Sequence, residues 1–132
     1  MLICCVIALL FCITGNAKVP YIPKIINYSV SDYKAGNQNW AVSQGPGGKM
    51  YIGNNRGLLV FDGIHWDLVK LPNNLGVRAL YISKDGRIYV GSFEEFGYFE
   101  MDDENDLIYH SLSSSEMNVY LNNDEFWTIN EY

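Results

Sequence analysis

After Cys12 the 132-residue chain contains no cysteine; all three of them, Cys4, Cys5 and Cys12, sit near its start. Whatever folds beyond that point has no disulfide framework, no thiolate metal site and no cysteine nucleophile, and must hold together by packing alone. Histidine is almost as scarce. His65 and His110 are the only two, each within or beside an outer strand, where a lone histidine is a surface or half-buried residue more often than a metal ligand. Basic residues are few as well: nine Lys and Arg against fifteen Asp and Glu leave a net charge of −6 with no basic cluster. Such a segment repels phosphate backbones, which argues against contact with nucleic acid. No Ser-His-Asp set, no pair of catalytic carboxylates in a defined pocket and no phosphate-cradling loop can be assembled, so the chain reads as a non-enzyme without cofactor or metal.

One long apolar run is present, MLICCVIALLFCITGNA at residues 1–17, and it is followed by the first charge, Lys18. It is too short for a comfortable membrane span and reads as a signal helix, with Gly15 and Ala17 as the small residues that a signal peptidase needs before cleavage after Ala17. The usual basic n-region is missing, which leaves an uncleaved anchor or a buried N-terminal helix as alternatives. Phe11 precedes Cys12 where lipidation needs a small residue, so a lipoprotein is not expected. The expectation is export. The NYS at Asn27 matches the N-glycosylation sequon, a match that chance supplies often.

Beyond the leader no stretch has a convincing helical period, and the chain repeats itself instead. An offset of 38 residues lays WAVSQGPGGKMYIGN from Trp40 over RALYISKDGRIYVGS from Arg78. Ala41 meets Ala79, Lys49 meets Arg87, Tyr51 meets Tyr89, and Gly53 meets Gly91. After that glycine the copies drift by two residues, within a loop where length is cheap to change. Trp127 and Ile129 then repeat the spacing of Trp40 and Val42. Each unit reads as four short strands: Trp40 to Gln44, Lys49 to Ile52, Leu58 to Phe61 and Trp66 to Leu71, then Arg78 to Ile82, Arg87 to Val90, Tyr98 to Glu100 and Leu107 to Leu112. Ile25 to Val30 resembles the outer strands in composition.

Four strands in about 40 residues is the period of a β-propeller blade. The fold class is therefore all-β, a partial propeller of two four-stranded blades and the start of a third. The divisions are 1–17 signal helix, 18–36 lead-in with an outer blade strand, 37–75 and 76–122 blades, and 123–132 the start of a further blade. Closure takes roughly four to eight blades, so the sequence reads as the beginning of a longer protein. Gly53 and Gly91 are expected to use a positive φ where the chain leaves the second strand. Tyr51, Tyr89, Trp66 and Phe61 are expected to pack blade on blade. A piece with open blade faces is expected to fold poorly alone.

WAVSQGPGGKMYIGNNRGLLVFDGIHW and ALYISKDGRIYVGSFEEFGYF resemble the two-component regulator propeller repeats, over about Ile25 to Tyr132. The resemblance implies the exported N-terminal part of a bacterial sensor: a periplasmic ligand-binding array, then a triple-tyrosine module and a membrane helix. A histidine kinase or LuxR-type DNA-binding region would lie beyond it. It further implies a homodimeric parent, a glycan fragment or other small ligand as signal, and transcription as output. Membrane contact would come only through the leader or those further parts. The alternative is a secreted carbohydrate-binding or enzymatic propeller with no signalling modules.

Three groups of residues compete for a binding role. Loops between second and third strands open at the same end as the connectors between blades, which nominates Asn54, Asn55, Arg56, Phe93, Glu94 and Glu95, with Arg78 nearby. The run Asp102, Asp103, Glu104, Asp106 gathers hard oxygens but lacks the glycine of a calcium loop, and it reads as a solvated turn. Trp40, Trp66 and Trp127 have faces suited to a pyranose ring; their regular placement favours packing between blades.

Overall fold

The computed structural model describes residues 22–113, 121 and 123–131. The leader with its cleavage point, residues 114–120 of the second unit and Tyr132 lie outside the described residues. Among the described residues no helix is long and apolar enough to cross a membrane.

Eight strands form two antiparallel four-stranded sheets, each in plain sequence order. The first holds β1 (Asn39–Gln44), β2 (Met50–Asn54), β3 (Gly57–Phe61) and β4 (Trp66–Val69). The second holds β5 (Ala79–Ile82), β6 (Ile88–Gly91), β7 (Phe96–Met101) and β8 (Leu107–Ser111). These are two consecutive blades of a partial β-propeller, and they approach each other most closely through their first strands, β1 against β5. Strand pairing extends further than the hydrophobic pattern alone implies at the β6–β7 loop, where Phe96 already pairs with Gly91.

Alternation along each strand divides the side chains between two faces. Tyr51, Leu58, Val60 and Val69 of blade 1 face blade 2, which answers with Leu80, Ile82, Ile88, Val90, Phe99 and Tyr109. Val77 and Leu71 from the connector complete this cluster, in which Leu58, Val77, Val90 and Phe99 are fully buried. At about 25 cal/mol per Å² of apolar surface, this seam is the main stabilising term. Tyr51 packs as expected. Phe61 and Trp66 do not join the seam: they lie on the opposite face of blade 1, stacked 4.3 Å apart, with Tyr28 and Tyr33 against them. Tyr89 lies on the far face of blade 2, between Tyr81 and Tyr98.

The lead-in differs from its sequence reading. Ile25 to Val30 is not an outer strand; residues 22–29 have no regular structure, and Val30–Tyr33 is a one-turn helix, α1, capped by reciprocal Ser29 and Asp32 contacts. A strand-like composition needs a neighbour to pair with, and here only the face of blade 1 is offered. Tyr33 and Ala35 bury themselves on that face with Leu59.

Gly53 and Gly91 also behave differently from expectation: neither has a positive φ. Their need for glycine comes from close approach. A Cβ on Gly53 would stand 2.9 Å from Val77 Cγ1, and one on Gly91 would stand 2.5 Å from Phe126 Cβ. The incoming chain of the following blade crosses directly over both.

Candidate functional site

At the end of the blades where β2 turns into β3, each turn is bonded to the connectors on either side. Asn54 carries the first of these junctions and is wholly buried. Its Oδ1 accepts from the amides of Gly36 (2.9 Å) and Arg56 (3.0 Å). Its Nδ2 donates to the Gly36 carbonyl (2.8 Å) and to Asn39 Oδ1 (2.7 Å). Its own carbonyl accepts from Val77 N–H at 2.9 Å. Ser92, 38 residues on, repeats the device: Oγ donates to the Gly76 carbonyl (2.5 Å), and the carbonyl accepts from Phe126 N–H (3.0 Å). Asn54 and Ser92 are the buried polar residues of the described core.

The loops between second and third strands therefore do sit beside the connectors, but the seven nominated residues do not form one surface. Asn54 is a junction residue with its hydrogen-bonding capacity used internally, so it is not ligand-facing. Asn55 is wedged between Gly36 and Gly76 with Oδ1 buried and without a partner, and it too is withdrawn. Arg56 is exposed. Phe93, Glu94 and Glu95 come together with Asn73 and Leu75 around an open hollow of about 370 Å³.

Within that hollow the carboxylates are already engaged. Glu94 Oε1 accepts from Asn123 N–H at 2.7 Å, and Phe93 bridges to Glu125 in antiparallel fashion. Glu95 Oε1 accepts from Tyr109 OH and Ser111 Oγ, both at 2.7 Å. Burial, and then the bond to Glu95, push the Tyr109 phenol well above its ordinary range, so it remains a donor. The hollow can offer a polar rim to a small ligand. Glu94 takes a positive φ of 50°, which turns it back toward Asp124.

Arg78 stands apart from this hollow, between aromatic rings. Its guanidinium carbon lies 4.5 Å from the centre of the Trp40 ring and 5.6 Å from that of Trp127, and Nη2 reaches Glu125 Oε1 at 3.5 Å. Trp40 and Trp127 meet edge to face at 5.5 Å. Trp66 does not pack between blades; it is held on the outer face of blade 1 by Phe61, Tyr28 and Tyr33, whereas Trp40 and Trp127 meet each other and Arg78 across units. These last two indoles are 40% and 54% exposed. What sequence reasoning missed is that Trp40 is the extra residue of a β-bulge: Asn39 pairs with Asn54 and Ala41 with Gly53, leaving Trp40 unpaired. A bulge is a property of two strands in register, and no signal for it resides in β1 alone.

The acidic run is a turn, with Asp102 Oδ1 accepting from the amides of Glu104 (2.9 Å) and Asp106 (2.8 Å). His65 likewise sits in a turn built by Asp62, whose carboxyl is lowered to about 2 by the amides of His65 and Ile64. His110 stacks on Tyr98 and bonds Glu100 at 3.0 Å.

Consecutive four-stranded sheets, joined turn to connector by a repeated buried polar residue, define a propeller-blade protein. Residues 70–94 match the family model of the two component regulator propeller. The matched segment runs from the end of blade 1 across the connector and through β5 and β6 to the next loop. No curated protein and no solved structure matches the chain.

Proposed function

We propose that this chain is the ligand-sensing, exported segment of a bacterial signal-transduction and transcription-regulatory protein, and that it acts by binding and not by catalysis. The observation that carries the reading is the match to the two component regulator propeller model at residues 70–94, which begins in the connector and, after β5 and β6, ends in the loop that meets the connector at one end of the blades. In that reading a glycan fragment or another small ligand seats at this end. Its binding energy then shifts the arrangement of blades in a homodimeric regulator, which passes the bias across the membrane.

Two measurements test it. In a strain carrying the complete gene, in-frame removal of residues 37–112 should abolish ligand-induced transcription, and unchanged induction would overturn the sensing role. Titration calorimetry of the full chain against glycan fragments should give saturable binding with the ligand recovered intact. Recovery of cleaved ligand would favour a propeller enzyme instead.

A further inference from the structure

Blade 1 has two faces, and only one of them meets blade 2. The other is the row-for-row counterpart of the face that blade 2 turns toward the seam. Val42 pairs with Ile52 as Leu80 pairs with Val90, and Met50 pairs with Phe61 as Ile88 pairs with Phe99. Paired residues share a face, so the correspondence holds for the side chains as well. We propose that this face of blade 1 receives a further blade of the same polypeptide, and that the lead-in, residues 22–35, is the gasket through which that blade docks. The proposal rests on the reading of the chain as a segment of a longer protein, and not on the sensing role.

Solvent treats the two equivalent faces unequally. On blade 2, Ile88, Val90 and Phe99 are buried against blade 1, whereas Val42 of blade 1 is 65% exposed. The lead-in covers the outer half of the blade 1 face only: Tyr28 lies edge-on to Phe61 and Trp66, and Tyr33 and Ala35 bury Leu59. Toward the innermost strand the face is bare, with a hollow of about 170 Å³ bordered by Ala41, Val42 and Ile52. On the side turned away from blade 1, the lead-in sets Ile22, Ile25 and Ile26 in solvent, each more than half exposed. Apolar side chains gathered on a segment that is already held in place, next to a bare apolar strip, form one continuous surface matched to a partner.

The strand count says how that partner binds. Each sheet has its four strands in plain sequence order, and residues 22–29 belong to no strand. Blade 1 takes no strand from elsewhere, and the described lead-in has none to donate to another sheet. Closure at this place is therefore by face packing through the lead-in and not by a shared sheet. The seam shows what the incoming face must offer, since blade 1 gives Tyr51, Leu58, Val60 and Val69 to blade 2. A blade docking here needs aliphatic bulk over Val42 and Ile52 and less of it where Tyr28 and Tyr33 already fill the space. A second copy of this chain is the poorer occupant. Its own free face, that of blade 2, presents Tyr98 beneath Arg87 and the ion pair of Arg87 with Glu100, which docking against isoleucines would strip of water.

The test uses the complete gene product with p-benzoylphenylalanine placed in turn at Val42, at Ile25 and, as a control, at Ile64, which is exposed in the turn between β3 and β4. Illumination should link positions 42 and 25 to one and the same repeat beyond residue 132, about tenfold more than position 64 links to it. Mixing nitrogen-15-labelled with unlabelled protein should show those links to lie within one polypeptide. In hydrogen exchange the amides of residues 25–30 should exchange about a hundredfold faster than those of β2. Links between polypeptides would give the face to a second copy, a missing link at either position would remove the gasket, and strand-like protection of residues 25–30 would mean a donated strand; each overturns the proposal. A complete product without further repeats would remove the segment reading along with it, whereas further repeats that never link to positions 42 and 25 remove this inference alone.

Discussion

Asn54 uses both ends of its amide at once, and in a site with no access to water. The amide and carbonyl of Gly36 and the amide of Arg56 converge on it, together with the Asn39 side chain. Replacement by alanine would strand those groups, at a cost of about 1–3 kcal/mol for each one left buried without a partner. Asn54→Ala should therefore lower stability by about 2–4 kcal/mol in urea unfolding, and the Gly36 and Arg56 amides should lose hydrogen-exchange protection. An unchanged midpoint would refute the junction role. In the sequence Asn54 is one polar residue in a GNNRG turn, indistinguishable from a solvent-facing one. Its burial is decided by Gly36, eighteen positions away, which no local pattern connects to it.

At the scale of the element, strand positions were legible because period-two alternation survives in both copies, and the 38-residue offset keeps the glycines in phase. The reason for those glycines was not legible. A positive φ and a crossing neighbour both demand the absence of Cβ, and only the packed arrangement tells them apart. The two causes give different outcomes on substitution. Gly91→Ala forces the new methyl against Phe126 and should cost about 1–3 kcal/mol by overpacking, with exchange protection lost first at the Phe126 amide. Gly86→Ala, at φ +89° with open space around it, should cost about 1–2 kcal/mol from the backbone alone and leave Phe126 untouched. Equal effects on Phe126 in the two variants would contradict this division. Ile25 to Val30 failed as a strand for a related reason. Its composition is that of an outer strand, but Ile25 and Ile26 stay exposed and the segment finds no strand edge to pair with.

For the whole molecule, the decisive feature is that one hydrophobic cluster draws from both blades. Phe99 is at its centre, buried beside Tyr109 and in a cluster with Tyr51, Leu58 and Val60 of the other sheet. Phe99→Ala should cost about 3–5 kcal/mol. The amides of β2 and β3 should lose exchange protection together with those of β6 and β7. Separate transitions for the two sheets would show that each is stable by itself. The architecture was legible at this scale because a four-stranded unit must hide a face, and repetition says against what.

The carbonyls of residues 54 and 92 each take a hydrogen from the chain that opens the next unit. On the ribosome, blade 1 thus gains that bond only after Val77 has emerged, and blade 2 only after Phe126. A nascent chain of this design carries one unfinished module at its growing front, and every newly made connector latches the module behind it.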